Sequence, residues 1–147
     1  MLTLRQSLKT LLGSSFTVSH AGLAGTVSVT VNAGLAGVGD GLPFPAAWLS
    51  TEYGTSTGSN VGGGGAENET FCDIIIQAIG SDAWDAPKLV EDIHSKVEEL
   101  VRAAEKTTGT SFWTHVSAFR DQPVSFAGGV PIYTRVLTVR GINLQKY

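Results

Sequence analysis

Three histidines and one cysteine are the side chains in this chain that could do chemistry: His20, His94, His115 and Cys72. No two of the histidines have the short spacing of a local metal site, and one cysteine cannot form a metal site alone. His94 has Glu91 three residues before it and Glu98 four residues after it, a spacing that predicts an ion pair on the surface of a helix.

Neither the cysteine nor the remaining histidines suggest a nucleophile. Cys72 follows Phe71 in the most apolar stretch of the chain, which predicts a buried and inert thiol. His115 alternates with Trp113 and Ser117, so we expect a half-buried side chain with its hydrogen bonds made. No Gly-x-Ser-x-Gly elbow occurs. The sequence therefore predicts a protein that is not an enzyme and that uses no metal and no cofactor.

The glycine-rich stretch "STGSNVGGGGAENETF", residues 56 to 71, could be a phosphate cradle, a linker or a partner-binding loop. A phosphate loop ends in Gly-Lys-Ser/Thr, whereas here Gly65 is followed by Ala66 and Glu67. A linker would divide the chain into halves too small for separate cores. We therefore expect a flexible loop, about residues 54–69, that orders against a partner. Its predicted contact residues are Ser56, Thr57, Ser59, Asn60, Gly62, Gly63, Gly64, Gly65, Glu67 and Glu69.

The composition limits the possible partners. The 147 residues are 42% hydrophobic and 16% charged, which is little charge for a monomer exposed on all sides, so we expect a partner to cover part of the surface. The net charge of −3 and the lack of a Lys/Arg run argue against specific nucleic-acid binding. No stretch approaches the ~20 apolar residues of a membrane span, and the N-terminus lacks the apolar core of a signal peptide.

Hydrophobic periodicity predicts two helices. Leucines at positions 4, 8, 11 and 12 form the stripe of a short helix that ends at Gly13. The second helix begins after Asp85, has Pro87 in its first turn and ends before Gly109. Its apolar stripe is Leu89, Val90, Ile93, Val97, Leu100, Val101 and Ala104.

Alternating or continuous runs of apolar residues predict five strands. They are "TVSVTVN" (26–32), the aromatic residues of Trp48 to Tyr53, Thr70 to Ile79, "SFWTHVSAF" and "IYTRVLTVRGINL". Together with the helices they predict one α+β domain over residues 1–147, a mostly antiparallel sheet with both helices packed on one face and a long Gly-rich inter-strand loop.

The order of these segments resembles the tail terminator, or tail-completion, proteins of long-tailed bacteriophages, the family of the lambda-like minor tail protein at the head-proximal tube end. The resemblance rests on the leucine helix, "GLPFPAAWLSTEYG", "ETFCDIIIQAI", "SDAWDAPKLVEDIHSKVEELVRAA", "FWTHVSAF" and "IYTRVLTVRGI". It covers the first helix and residues 41–142. The segment from His20 to Gly39 is longer and richer in glycine than the family pattern.

The resemblance implies a structural virion protein, assembled in the host cytoplasm and located in the tail or neck. It implies a homo-hexamer ring that caps the tail tube, ends tube polymerisation and joins the head. The implied partners are the tail tube protein and a head-completion or neck protein, with DNA passing through the lumen without specific binding. The resemblance implies no catalytic residues in this chain.

Three other interpretations remain open at the level of the sequence. The chain could be another phage neck or tail-tube protein built from a related sheet and helix. It could be a small ligand-binding α+β domain, or an enzyme, with a pocket near Trp48, Cys72 and His115. It could also be a generic intracellular oligomerisation module.

Overall fold

A computed structural model describes residues 4–20, 26–32, 45–57, 65–80, 85–104 and 113–146. Two helices and eight strands follow one another in these residues, with the second helix placed between the two longest strands. Their bounds in chain order are α1 (Leu4–Leu12), β1 (Ser15–Ser19), β2 (Thr26–Asn32), β3 (Ala46–Leu49), β4 (Tyr53–Thr57), β5 (Gly65–Ile79), α2 (Ala86–Ala104), β6 (Trp113–Asp121), β7 (Ser125–Ala127) and β8 (Val130–Lys146).

The strands form one mixed sheet in the order β1-β2-β3-β5-β8-β6. The β2–β3 pair is parallel and the other pairs are antiparallel. β4 lies beside β5 after β3, and β7 lies beside β8 after β6. The longest ladder joins β5 to β8, from Gly65 opposite Lys146 to Ile79 opposite Ile132. This ladder is the centre of the molecule.

The short helix α1 has the predicted stripe and end. Leu4, Leu8 and Leu12 are buried. Gly13 has a φ of 75°, a left-handed conformation that glycine adopts without strain, and its N–H donates to the Lys9 carbonyl at 2.8 Å. The helix therefore stops where the leucine pattern and the glycine predicted.

The long helix α2 also has the predicted buried face. The N–H of Leu89 donates to the Asp85 carbonyl at 2.8 Å, which makes Ala86 the first helical residue. Leu89, Ile93 and Val97 are fully buried, and Leu100 packs against the core from a half-buried position. The predicted end at Gly109 lies outside the described residues.

Both helices share one hydrophobic core with one face of the sheet. Along β5, Cys72, Ile74 and Ile76 point into this core, and alternation places Ile75 and Gln77 on the opposite face. We call the two sides the helix face and the outer face. The α+β class, with both helices on one face of a mostly antiparallel sheet, is as the sequence predicted.

The strand bounds around the glycine-rich stretch differ from the prediction. The expected loop, about residues 54–69, is strand at both ends, because β4 runs to Thr57 and β5 begins at Gly65. Pairing with β4 on one side and β8 on the other holds this polar and Gly-containing sequence extended, against its weak strand propensity. The predicted aromatic strand from Trp48 to Tyr53 is interrupted at residues 50–52. β1 and β7 were not predicted.

Candidate functional site

The segment predicted to contact a partner lies in a part of the sheet that we call the arm: β4, residues 65–71 of β5 and residues 140–146 of β8. β5 is in its middle, with Phe71 opposite Tyr53 on one side and opposite Arg140 on the other. Among the described side chains of β5, the core begins at Cys72. The described side chains of β5 in the arm, from Glu69 to Phe71, therefore lie outside the hydrophobic core.

The structure places part of the predicted contact residues on paired strands of the arm. Ser56 is opposite Asn68, and Thr57 is opposite Glu67. Gly65 begins β5 opposite Lys146 of β8. The other predicted contacts, Ser59, Asn60, Gly62, Gly63 and Gly64, lie outside the described residues.

The base of the arm is fixed on the outer face by a tyrosine and an aspartate. The rings of Tyr53 and Phe71 stack, with 5.6 Å between centroids and 18° between planes. The Tyr53 hydroxyl donates to Oδ1 of Asp73 at 2.9 Å, and the Thr138 hydroxyl donates to the same oxygen at 3.1 Å. Burial and the Asp73 carboxylate raise the pKa of Tyr53. The Tyr53 hydroxyl therefore stays protonated, and Asp73 of β5 joins β4 and β8 through these two hydrogen bonds.

Glu69, one of the predicted contact residues, is engaged within the arm. Its Oε1 accepts from Nε of Arg140 across the β5–β8 ladder, at 2.5 Å, and both side chains are about one-third exposed. The sequence had placed Glu69 at the base of a loop. The ion pair instead joins two neighbouring strands and leaves the arm with less unpaired charge to present to a partner.

The opposite edge of the sheet is apolar and exposed. Phe119 of β6 is 55% exposed, Val124 in the connection is 43% exposed, and Phe126 of β7 is 70% exposed. In the described sheet both strands pair only with β8, so this edge also presents backbone groups that lack a strand partner. Sequence reasoning missed these residues. The alternation of Val124 and Phe126 is the signal of a short strand, but it does not show that the strand lies at an edge.

His94 is buried, whereas the sequence predicted a surface position. Its Nε2 lies 3.0 Å from Oε1 of Glu98, as the i, i+4 spacing predicted. Its Nδ1 lies 3.0 Å from Nη1 of Arg135, which can only donate, so Nδ1 accepts. The predicted pair with Glu98 therefore forms, and the second contact joins α2 to β8 through Arg135.

Arg135 joins this histidine to the apolar edge. Its Nε and Nη2 donate to the two oxygens of Asp121, at 2.6 and 3.1 Å. Its guanidinium carbon lies 4.7 Å from the centre of the Phe119 ring, and that ring meets His94 edge-on at 4.8 Å. Arg135 holds the pKa of Asp121 below its usual value. The cluster fixes β6 and β8 against α2.

The other two histidines lie apart from this cluster. Nδ1 of His20, after β1, donates to Oδ2 of Asp92 in α2 at 2.8 Å, and the His20 side chain is 2% exposed. His115 lies on β6 and is exposed, so the prediction of a half-buried residue is wrong. β6 is an edge strand, and no described strand covers its far side. The three histidines therefore form no common site.

The pocket expected for a ligand-binding domain does not form from the predicted residues. Cys72 is fully buried in the core of the helix face. Trp48 pairs with Ile75, so it lies on the outer face. Burial raises the pKa of the Cys72 thiol to about 11, and the thiol donates to the Ser50 carbonyl at 3.4 Å. It is inert, as the sequence predicted, and the sheet separates it from Trp48.

Within the described residues, no cluster of three His, Cys, Asp or Glu side chains is arranged to hold a metal ion. Nor is either described helix long and apolar enough to cross a membrane. No protein-family model matches the chain, and no curated protein matches it.

Proposed function

We propose that the protein is a structural virion component that forms a homo-hexameric ring at the head-proximal end of a long-tailed phage tail. The ring caps the tail tube, ends its polymerisation and provides the joint to the neck and head. The observation that carries the proposal is the exposed apolar edge formed by Phe119, Val124 and Phe126. Exposed apolar side chains beside an open strand edge are typical of a protein–protein contact, and the low charge of the chain agrees with this.

Ring closure needs two different surfaces on each subunit, because a head-to-tail contact joins unlike patches. The β6–β7 edge supplies one surface. The arm supplies a second, because no described strand pairs with β4 on the side away from β5. The two edges lie on opposite sides of the β5–β8 ladder, an arrangement that suits a chain of subunits closing into a ring.

The arm is the element that we assign to contact with the tube or with the next subunit. Its strands are already paired along β5, so ordering it on a partner costs less conformational entropy than ordering a free glycine-rich loop. The backbone of β4 offers main-chain hydrogen bonds to an added strand. The Glu69–Arg140 pair limits unpaired charge at that contact.

Copy number separates this role from that of another tail protein. A terminator is present as one ring of six copies per particle, whereas a tube protein is stacked many times along the tail. Quantitative mass spectrometry of purified particles, with imaging of the head-proximal tail end, distinguishes the two. Six copies at that end support the proposal, and copies along the whole tube overturn it.

A charge placed on the apolar edge tests the observation that carries the proposal. We expect Phe126→Asp, in the phage that encodes the chain, to give overlong tails or tails without heads, because the charge prevents ring contacts. Thr10→Asp, on the exposed side of α1, is the matched control and gives normal particles. Normal tails from a folded Phe126→Asp protein would remove the basis of the proposal.

Shortening the connection between β4 and β5 tests the predicted contacts in residues 58–64 separately from the paired strands of the arm. Replacing residues 58–64 by a two-residue Asn-Gly turn leaves the subunit folded, because loop closure depends weakly on length. We expect the shortened protein to lose stable capping while it keeps its thermal stability. Tails of normal length joined to heads would show that the connection has no part in assembly.

A further inference from the structure

A third surface, away from the arm and from the apolar edge, is an open groove. It has a volume of about 370 Å³ and lies between the first strand and the long helix. Thr17, Val18 and Ser19 of β1 line it together with Thr26 of β2. The wall from α2 consists of Asp92, Ser95, Lys96 and Glu99.

The strand side of the groove presents backbone groups that lack a strand partner. β1 is the terminal strand of the described sheet. The N–H of Val31 donates to the Ser14 carbonyl, and in the same register Phe16 and Val18 exchange hydrogen bonds with β2. By alternation, the N–H and C=O groups of Thr17 and Ser19 point away from β2. These are the groups that an added strand would pair with.

The helix side matches this strand edge in length. Positions 92, 95, 96 and 99 follow the i, i+3, i+4, i+7 pattern, so they form one stripe along α2. At 1.5 Å per residue the stripe is about 10 Å long, the length of about three residues of extended chain. Both oxygens of Asp92 are occupied, by Nδ1 of His20 at 2.8 Å and Nζ of Lys88 at 3.2 Å. Asp92 is therefore a fixed part of the wall.

The charge of the stripe indicates what kind of segment fits. Asp92 is already paired with Lys88 and His20, so the available carboxylate is Glu99, which is 71% exposed and lies 3.6 Å from Lys96. The remaining lining is mostly hydroxyl-bearing: Thr17, Ser19, Thr26 and Ser95. Such a groove suits a polar extended segment with a cationic side chain better than an apolar or acidic one.

We propose that the groove between β1 and α2 binds an extended segment of a different protein, which adds to the sheet as a strand beside β1 and places a Lys or Arg side chain against Glu99. The main-chain bonds to Thr17 and Ser19 supply affinity, and the helix stripe selects the charge. This inference goes beyond the ring proposal, because it uses neither the arm nor the β6–β7 edge.

The test is titration of the ¹⁵N-labelled full chain with two synthetic peptides, acetyl-Ser-Thr-Arg-Thr-Ser-amide and the same peptide with Glu in place of Arg. The Arg peptide is expected to shift the amide signals of residues 15–19 and 92–99 saturably. The Glu peptide is expected to bind about twofold to fivefold more weakly, as loss of one exposed ion pair predicts. No saturable shift with the Arg peptide, or shifts confined to other residues, would overturn the proposal.

Two variants separate backbone pairing from charge. Thr17→Pro removes an outward N–H at an edge position where proline is tolerated, and it is expected to weaken the Arg peptide about tenfold. Thr17→Val keeps the N–H and is expected to keep the affinity. Glu99→Lys is expected to abolish the preference for Arg over Glu, whereas Glu91→Lys, on an exposed position of α2 outside the groove, is expected to preserve it.

Two results decide against the assignment even when the variants fold. Unchanged affinity in folded Thr17→Pro and Glu99→Lys proteins would show that the groove does not bind the peptide. Concentration-dependent shifts at residues 15–19 without peptide, lost in Thr17→Pro, would show that the occupant is a second copy of the chain. Failure of the ring proposal would change neither readout.

Discussion

Gly54 of β4 lies so close to β5 that a Cβ on it would collide with the carbonyl oxygen of Glu69 and would lie 2.9 Å from Cα of Thr70. Both obstacles are backbone atoms, which cannot turn aside as a flexible side chain does. Close contact between β4 and β5 in the arm therefore depends on a residue without a side chain.

We expect Gly54→Ala to detach β4 from β5 at a cost of about 1–3 kcal/mol, because the methyl group overpacks the strand pair. Amide exchange of residues 53–57 should accelerate while the core amides of α2 stay protected. Thr51→Ala, at an exposed position in the connection before β4, is the control and leaves exchange unchanged. Protection of β4 in Gly54→Ala equal to that of the native chain would contradict the close approach.

The two leucines of α2 should differ in their cost when truncated. Leu89 is fully buried, so Leu89→Ala removes core volume and should lower the free energy of unfolding by about 2–5 kcal/mol. Leu100 is half-buried, and Leu100→Ala should cost about half as much. Urea unfolding of both variants measures the difference. A larger loss at Leu100 would mean that the helix is rotated relative to the sheet.

The Asp121–Arg135 pair should make a small contribution to stability that depends on pH. The folded-state pKa of Asp121 lies below its ordinary value, so the pair stabilises the fold above the unfolded value of about 3.9. The contribution is lost as the pH falls through the lower folded-state pKa. Because the Asp121 side chain is 59% exposed, we expect less than about 1 kcal/mol.

Asp121→Asn measures this contribution. The difference in unfolding free energy between the variant and the native chain should be constant from pH 7 to about pH 5 and should shrink as the pH falls below the unfolded pKa of about 3.9. A difference that persists unchanged at pH 3 would mean that the carboxylate charge is not its cause. Ser117→Asn, at another exposed position of the same strand, serves as the control.

The single thiol should be unreactive in the folded chain. Cys72 is fully buried, and its pKa of about 11 keeps it protonated at neutral pH. A thiol reagent such as Ellman's reagent should react with one equivalent only after denaturation. Rapid reaction of the native protein would show that β5 opens at Cys72 or that its burial is incorrect.

The sequence predicted the helices well because their signals are local. The stripe of Leu89, Ile93 and Val97 and the left-handed glycine after α1 are readable within a few turns of chain. The arm was not predictable in this way. Residues 65–69 have the composition of a loop, and they are strand because β8 lies beside them.

The same distinction applies to the side chains of the candidate site. The contact from His94 to Glu98 follows from spacing within one helix, whereas the burial of His94 comes from Phe119 and Arg135 on later strands. Phe126 is exposed because β7 is an edge strand, and edge position is a property of the whole sheet. Such tertiary relationships leave no signature in the local pattern.

The place of β8 in the sheet determines when the chain can fold during its synthesis. β8 lies between β5 and β6, yet the ribosome makes it after both. Until it arrives, β6 has no described neighbour to pair with, and Ile74 and Ile76 lie on a strand with one open edge. Ladders between segments so distant in the chain form slowly. During synthesis, β5 is therefore an apolar, aggregation-prone strand until β8 pairs with it.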